Sequence, residues 1–65
     1  MAIIKHTEIK RLRREKKLTQ EEVAKMVSLA RSTYTRIELG DIEPSIKTLG
    51  RIAKALKVDI SALLR

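Results

Sequence analysis

Apolar residues recur along this chain at the three- and four-residue intervals of an α-helix rather than at the alternation of a strand. After residue 45, for example, Ile46, Leu49, Ile52, Ala53 and Leu56 fall on one side of a helix. Each such stripe is short, so several helices must pack together to bury their apolar faces. The spacing therefore predicts an all-α fold, a compact bundle of about five short helices.

Capping residues and turn formers predict where these helices begin and end. Thr19 and Glu22 have the spacing of a capping box, in which each side chain accepts a hydrogen bond from the other residue's backbone N–H. Gly40 suits the left-handed residue that closes a helix, and Ser45 can cap the next one. Two further signals are Thr7, as the cap of a first helix over about 7–16, and Asp59, before a last short helix.

Length and charge narrow the class of protein. With 65 residues, the chain is long enough for one small domain over residues 1–65, and without cysteine this domain must be held by packing alone. The formal net charge of +7 favours a polyanionic partner such as nucleic acid or an anionic membrane. Apolar runs are too short for a membrane span, so we expect a cytoplasmic protein, associated with the nucleoid when bound to DNA.

The stretch LARSTYTRIELG, residues 29–40, predicts a third helix with an unusually polar outer face. At about 100° per residue, Ala30, Tyr34 and Ile37 cluster on the inward side. Arginine can donate two hydrogen bonds to guanine, and serine and threonine can donate to or accept from bases in the major groove. The opposite arc holds residues of these types, namely Arg31, Ser32, Thr35 and Arg36.

Residues 18–58, LTQEEVAKMVSLARSTYTRIELGDIEPSIKTLGRIAKALKV, resemble the phage-repressor and Cro type of helix-turn-helix domain, often called the Xre-like family. The motifs that carry the resemblance are LTQEE at 18–22, RST at 31–33, RIE followed by glycine at 36–40, and PS at 44–45. The resemblance implies a lambda repressor-like DNA-binding fold with its helix-turn-helix over about 20–39. It also implies a homodimer on a palindromic operator, a docking geometry for which phage repressors are the standard examples.

Residue roles follow from the resemblance position by position. It implies that Arg31, Ser32 and Arg36 contact bases, with Thr35 beside them, and that Gln20, with Thr19, contacts the DNA backbone. Arg13 and Glu38 match a pair that forms a buried salt bridge between the first and third helices of family members.

This chain departs from the family pattern in several places. Ser28 stands where the interhelical turn commonly has glycine, and Ala30 replaces the serine or threonine that normally caps the recognition helix. Asp41 and Glu43 lie in a loop that in the family is often basic or neutral, and they would repel phosphate.

A dimer interface is expected around the connection between the third and fourth helices and the C-terminal helix. Four apolar residues there exceed what a small core needs, namely Leu39, Ile42, Ile60 and Leu64.

These features favour a sequence-specific regulator of transcription that binds double-stranded DNA. The alternative is a protein-interaction module of antitoxin or antirepressor-binding type, for which the acidic loop is the best clue. Non-specific RNA binding is disfavoured because the chain has one aromatic residue, and membrane-surface binding because its apolar faces are short. A lone histidine, His6, and no cysteine or glycine-rich loop predict no enzyme, metal, cofactor or small-molecule ligand.

Overall fold

The computed structural model describes residues 3–65, and within them the chain forms four α-helices and one 3-10 helix. The predicted all-α class is confirmed. The last of the five predicted helices is a single 3-10 turn, because Asp59 caps it at Ser61 and the chain pairs with another segment only a few residues later. The elements are α1 (His6–Glu15), α2 (Gln20–Met26), α3 (Arg31–Leu39), α4 (Ile46–Ala55) and the 3-10 helix Ile60–Leu63.

Two of the predicted helix starts are confirmed in atomic detail. The Thr19 hydroxyl accepts from the Glu22 backbone N–H at 3.1 Å, and the Glu22 carboxylate accepts from the Thr19 N–H at 2.8 Å, which completes the capping box. Ser45 likewise accepts from the Thr48 N–H at 3.2 Å at the start of α4. These local pairs satisfy backbone donors that the first turn of a helix leaves without partners.

The predicted start of α1 at Thr7 is wrong. The helix begins at His6, which makes Thr7 an exposed residue of its first turn. The cause is a contact between the two ends of the chain, because the Lys5 N–H donates to the Leu63 carbonyl at 2.8 Å. The Arg65 N–H donates to the Ile3 carbonyl at 2.8 Å in the same way, so that Ile4 and Leu64 form an antiparallel β-bridge. The chain leaves this pairing directly into α1.

All four α-helices end in the same way. One or two positions after the last helical residue the chain has a residue with positive φ, and the next backbone N–H donates to a carbonyl five residues earlier, as in a Schellman motif. Only one of the four left-handed residues is glycine; the others pay about 1 kcal/mol or more each for this conformation. The four residues and their φ values are Lys17 at 59°, Ser28 at 60°, Gly40 at 82° and Lys57 at 59°.

The core lies where α3 packs against α1 and α2, and where α4 packs against α2 and the 3-10 helix. Its largest fully buried side chains are Tyr34, Ile9, Leu49, Ile52, Leu56, Leu63, Val23 and Val27. None of the helices within residues 3–65 has the length and apolarity needed to cross a membrane.

The structure corrects several predicted core positions. Ile46 is 68% exposed, because it lies at the first position of α4 and at the edge of that helix's apolar stripe. Ala30 is exposed because it precedes α3 in extended backbone instead of joining its inward face. Ile60 and Leu64, which the sequence assigns to the last short helix and to a dimer surface, are half-buried and pack against the core.

Substitution by alanine should have opposite effects on stability at the two glycines. We expect Gly50→Ala to stabilise the fold by about 0.5 to 1 kcal/mol, because Gly50 lies inside α4 and an added Cβ meets no atom of residues 3–65 within 4 Å. Gly40→Ala should destabilise it by about 1 to 2 kcal/mol, because φ there is +82° and the new Cβ would lie 3.0 Å from the His6 imidazole. Urea unfolding followed by circular dichroism measures both changes; shifts of the same sign would contradict the structure.

Candidate nucleic-acid interface

Helix α3 divides into a buried side and an exposed side. Tyr34, Ile37 and Glu38 are buried against α1 and α2. Arg31, Ser32 and Arg36 are exposed on the opposite arc, as the helical wheel predicts. Within residues 3–65 neither Arg31 nor Arg36 forms an ion pair. Two guanidinium groups and a hydroxyl are therefore available to an external partner on one face.

A buried ion pair fixes α3 against α1. The Arg13 Nε donates to Glu38 Oε2 at 2.6 Å, and Arg13 Nη2 donates to Glu38 Oε1 at 3.2 Å. Arg13 also donates from Nη1 to the Leu18 carbonyl at 2.7 Å, which ties the connection between α1 and α2 to the same group. A planar guanidinium meets a carboxylate with two parallel bonds, a geometry that restricts both position and orientation.

Gln20, the first residue of α2, joins this network. Its side-chain nitrogen donates to Glu38 Oε1 at 3.1 Å, and its side-chain oxygen accepts from the Thr35 hydroxyl at 3.1 Å. An amide nitrogen carries two N–H groups, so one remains for an external acceptor. The side chain is half-buried and held from both ends, which places that free donor in a defined position at the edge of α3.

Thr35 is therefore placed differently from the three exposed residues that share its arc on the helical wheel. It is half-buried, and its hydroxyl proton is used in the bond to Gln20. An external partner can meet only its remaining acceptor capacity and its methyl group. Within the domain, the Thr35 hydroxyl holds the Gln20 side chain in position. Nothing in the sequence pattern signals this contact, since the two residues are fifteen positions apart.

The electrostatics of the network depend on Glu38, which is 4% exposed. Burial acts to raise the pKa of this carboxyl, but the groups around it, with Arg13 foremost, outweigh that effect and hold its pKa below the ordinary value. Tyr34 lies beside the pair, and burial raises the pKa of its hydroxyl, an effect that the Glu38 carboxylate increases. The Tyr34 hydroxyl is buried and makes no hydrogen bond within residues 3–65.

Thr19 and Arg11 offer less to an external anion than their residue types suggest. The Thr19 oxygen is exposed but accepts the capping bond, so its hydroxyl proton is what remains to donate. In α1, Arg11 is bound to two acidic neighbours, to Glu8 at 2.6 Å and to Glu15 at 2.9 Å. Its charge is largely balanced within its own helix.

The four residues predicted for a dimer interface differ in their surroundings. Ile42 lines a small cavity together with Ile4 and Pro44, and Ile4 pairs with Leu64. These residues, with the half-buried Ile60, lie near the meeting point of the two chain ends. Leu39 is instead the last residue of α3 and lies on its exposed side.

Comparison with known proteins matches most of the chain. A family model described as helix-turn-helix covers residues 9–63. An uncharacterized HTH-type transcriptional regulator of Bacillus subtilis, YqaE, is 42% identical over 57 residues, which are 88% of this chain and 49% of that protein. The immunity repressor protein of Bacillus phage phi105 is 41% identical over 56 residues, 86% of this chain and 39% of that repressor. The chain thus spans about half the length of these relatives or less.

Solved structures share the fold. The biofilm regulator SinR, crystallised in complex with DNA, superposes with a TM-score of 0.83 at 32% identity, covering 91% of this chain and 98% of that one. Hydroxypropylphosphonic acid epoxidase from S. wedmorenis contains a similar unit, with a TM-score of 0.87 at 25% identity over 100% of this chain. That likeness covers 36% of the epoxidase chain, so it extends to one part of that enzyme.

The buried pair predicts a specific sensitivity to acid. Because the folded state lowers the pKa of Glu38 below its ordinary value of 4.5, its contribution to the free energy of unfolding is present above that value and is lost as pH falls through the folded-state pKa. Arg13→Met alone should cost about 3 to 5 kcal/mol, because it leaves a buried carboxylate without its partner.

The double variant Arg13→Met/Glu38→Leu is the matched control, since it removes both charges at once. When the pH is lowered from about 7 to about 3, the free energy of unfolding measured with urea should fall less in the double variant than in the wild type. Glu8, Glu22 and Asp59 also have lowered pKa values, but they are common to both proteins and cancel in the comparison. Equal losses would show that the pair does not govern acid stability.

Proposed function

Because this chain belongs to the helix-turn-helix family of Cro/C1, Xre-like type, we propose that it is a sequence-specific regulator of transcription that binds double-stranded DNA. The observation that carries the proposal is the exposed side of α3, where Arg31, Ser32 and Arg36 face solvent beside the held side chain of Gln20. The net charge of +7 supports the same partner by attracting a polyanion.

The exposed groups divide into two roles. Arg31 and Arg36 can each donate two hydrogen bonds to guanine O6 and N7 in the major groove, and Ser32 can donate or accept. Gln20, through its free N–H, and Thr19, through its hydroxyl, donate to phosphate oxygens and set the depth and direction of α3. In this scheme α3 is the recognition helix and the start of α2 is the anchor. Thr35 holds the Gln20 side chain and presents its methyl group beside the residues proposed to contact bases.

The protein acts in this proposal as a homodimer on a palindromic operator. One nine-residue helix reaches only a few base pairs, and a second copy doubles the site read. The dimer surface consists of Ile42, Ile60 and Leu64, with the exposed Ile3 beside them. Two acidic residues flank Ile42, namely Asp41 and Glu43, and their repulsion of phosphate favours a protein partner for this loop.

Selection from a random duplex library at about 0.15 M salt tests the proposed function first. We expect an enriched palindrome that binds roughly a thousandfold more tightly than shuffled DNA.

Arg36→Ala should then cost about 1 to 3 kcal/mol on that site and relax the preference at one base pair in each half-site. Gln20→Ala should instead weaken binding to all duplexes alike, because a phosphate contact carries no base information.

Two outcomes would contradict these assignments. An Arg36→Ala variant that loses the same affinity on every duplex would have lost a backbone contact and not a base contact. A library without any enriched sequence would leave a basic scaffold, and the exposed loop with Asp41, Ile42 and Glu43 would become the candidate surface for a protein partner.

The dimer surface predicts a separate result. Ile42→Glu should shift the protein from dimer to monomer in sedimentation velocity and lower its affinity for the full palindrome, because a charge in an apolar interface is costly to desolvate. Met26→Glu is the control: Met26 is 56% exposed at the far end of α2 and lies outside the proposed surface. An Ile42→Glu protein that sediments as the wild type does would exclude this surface.

A further inference from the structure

One exposed residue of α3 does not fit the polar character of its face. Leu39, the last residue of the helix, is 62% exposed. It follows Ser32 by seven positions and Arg36 by three, so all three lie on one side of the helix. A large apolar side chain thus stands in line with the residues proposed to contact bases.

Leu39 stands where the chain turns away from the axis of α3. Gly40, with φ of 82°, ends α3 immediately after Leu39 and redirects the chain. Ile42 then returns against Ile4 and Pro44, beside the ends of the chain. Leu39 remains on the outward side of α3 and is absent from the hydrophobic core of the described chain.

We propose that Leu39 is a specificity-determining residue that recognises thymine through contact with its C5 methyl group. This inference rests on the proposed function, since it requires α3 to enter the major groove. The thymine methyl is the apolar group that base edges present in that groove. An exposed leucine has no hydrogen bond to offer, so the contact available to it there is this one.

Geometry places this contact apart from that of the first turn. Seven residues of α-helix separate Ser32 from Leu39, an axial distance of about 10 Å. That distance is longer than one base-pair step of about 3.4 Å. Leu39 therefore reads a different base pair from Ser32 and extends the recognised half-site at one end.

Single replacement of each thymine by deoxyuridine tests the inference on the duplex enriched by the wild-type protein. Deoxyuridine removes the methyl group and keeps the base pair. We expect the wild type to lose about fourfold in affinity at one thymine per half-site, the effect of burying roughly one methyl-sized group. Leu39→Ala should bind the unmodified duplex several-fold more weakly and should no longer respond to deoxyuridine at that thymine.

The control variant is Met26→Ala, which truncates a similarly exposed apolar side chain on α2 and should keep the full wild-type response. Thermal unfolding of Leu39→Ala should match that of the wild type, because the side chain is outside the core. An unchanged deoxyuridine response in Leu39→Ala would overturn the inference while leaving the proposed function intact. A Leu39→Ala protein that sediments as a monomer where the wild type sediments as a dimer would also overturn the inference, because it would assign Leu39 to self-association. Failure to enrich any duplex would overturn the proposed function and this inference together.

Discussion

The buried ion pair between Arg13 and Glu38 is the interaction on which the rest of this structure depends. It crosses twenty-five positions of sequence and joins α1 to α3 with two hydrogen bonds. Because Glu38 also accepts from Gln20, the same carboxylate holds α3 in the bundle and fixes the side chain at the start of α2. Stability and the alignment of the candidate DNA-binding groups are thus properties of one network, and a change that disturbs the first also disturbs the second.

The short connections between helices explain where this small domain accepts strain. Lys17, Ser28 and Lys57 adopt left-handed backbone that glycine would adopt more easily. Each allows the chain to reverse at once, with a backbone bond such as that from Leu29 N to Ala24 O closing the helix end. In the turn between α2 and α3 this geometry sets how α3 projects from the bundle. The strain at Ser28 is thus tied to the orientation of the exposed face.

Much of the fold could be predicted from local signals, and the errors have identifiable causes. The capping box at Thr19 and the helix stop at Gly40 involve neighbours within a few residues, and both are confirmed. Thr7 was wrong as a helix start because the pairing of the chain ends, a distant contact, sets where α1 begins. Ile46 was wrong as a core residue because a helical wheel gives the direction of a side chain but not whether another element covers it.

The candidate site also combines features set by local spacing with features set by contacts between distant segments. The sequence by itself determined that Arg31, Ser32 and Arg36 share the outward side of one helix, because a period of 3.6 residues is a local property of the backbone. Only the tertiary structure decided that Thr35 turns to Gln20, that Gln20 is held by Glu38, and that Leu39 is left exposed on the outward side of α3. These outcomes depend on which side chains distant segments bring within hydrogen-bond reach, and on where no other segment arrives. Packing of α1, α2 and α3 supplies that information, and no spacing along a single helix contains it.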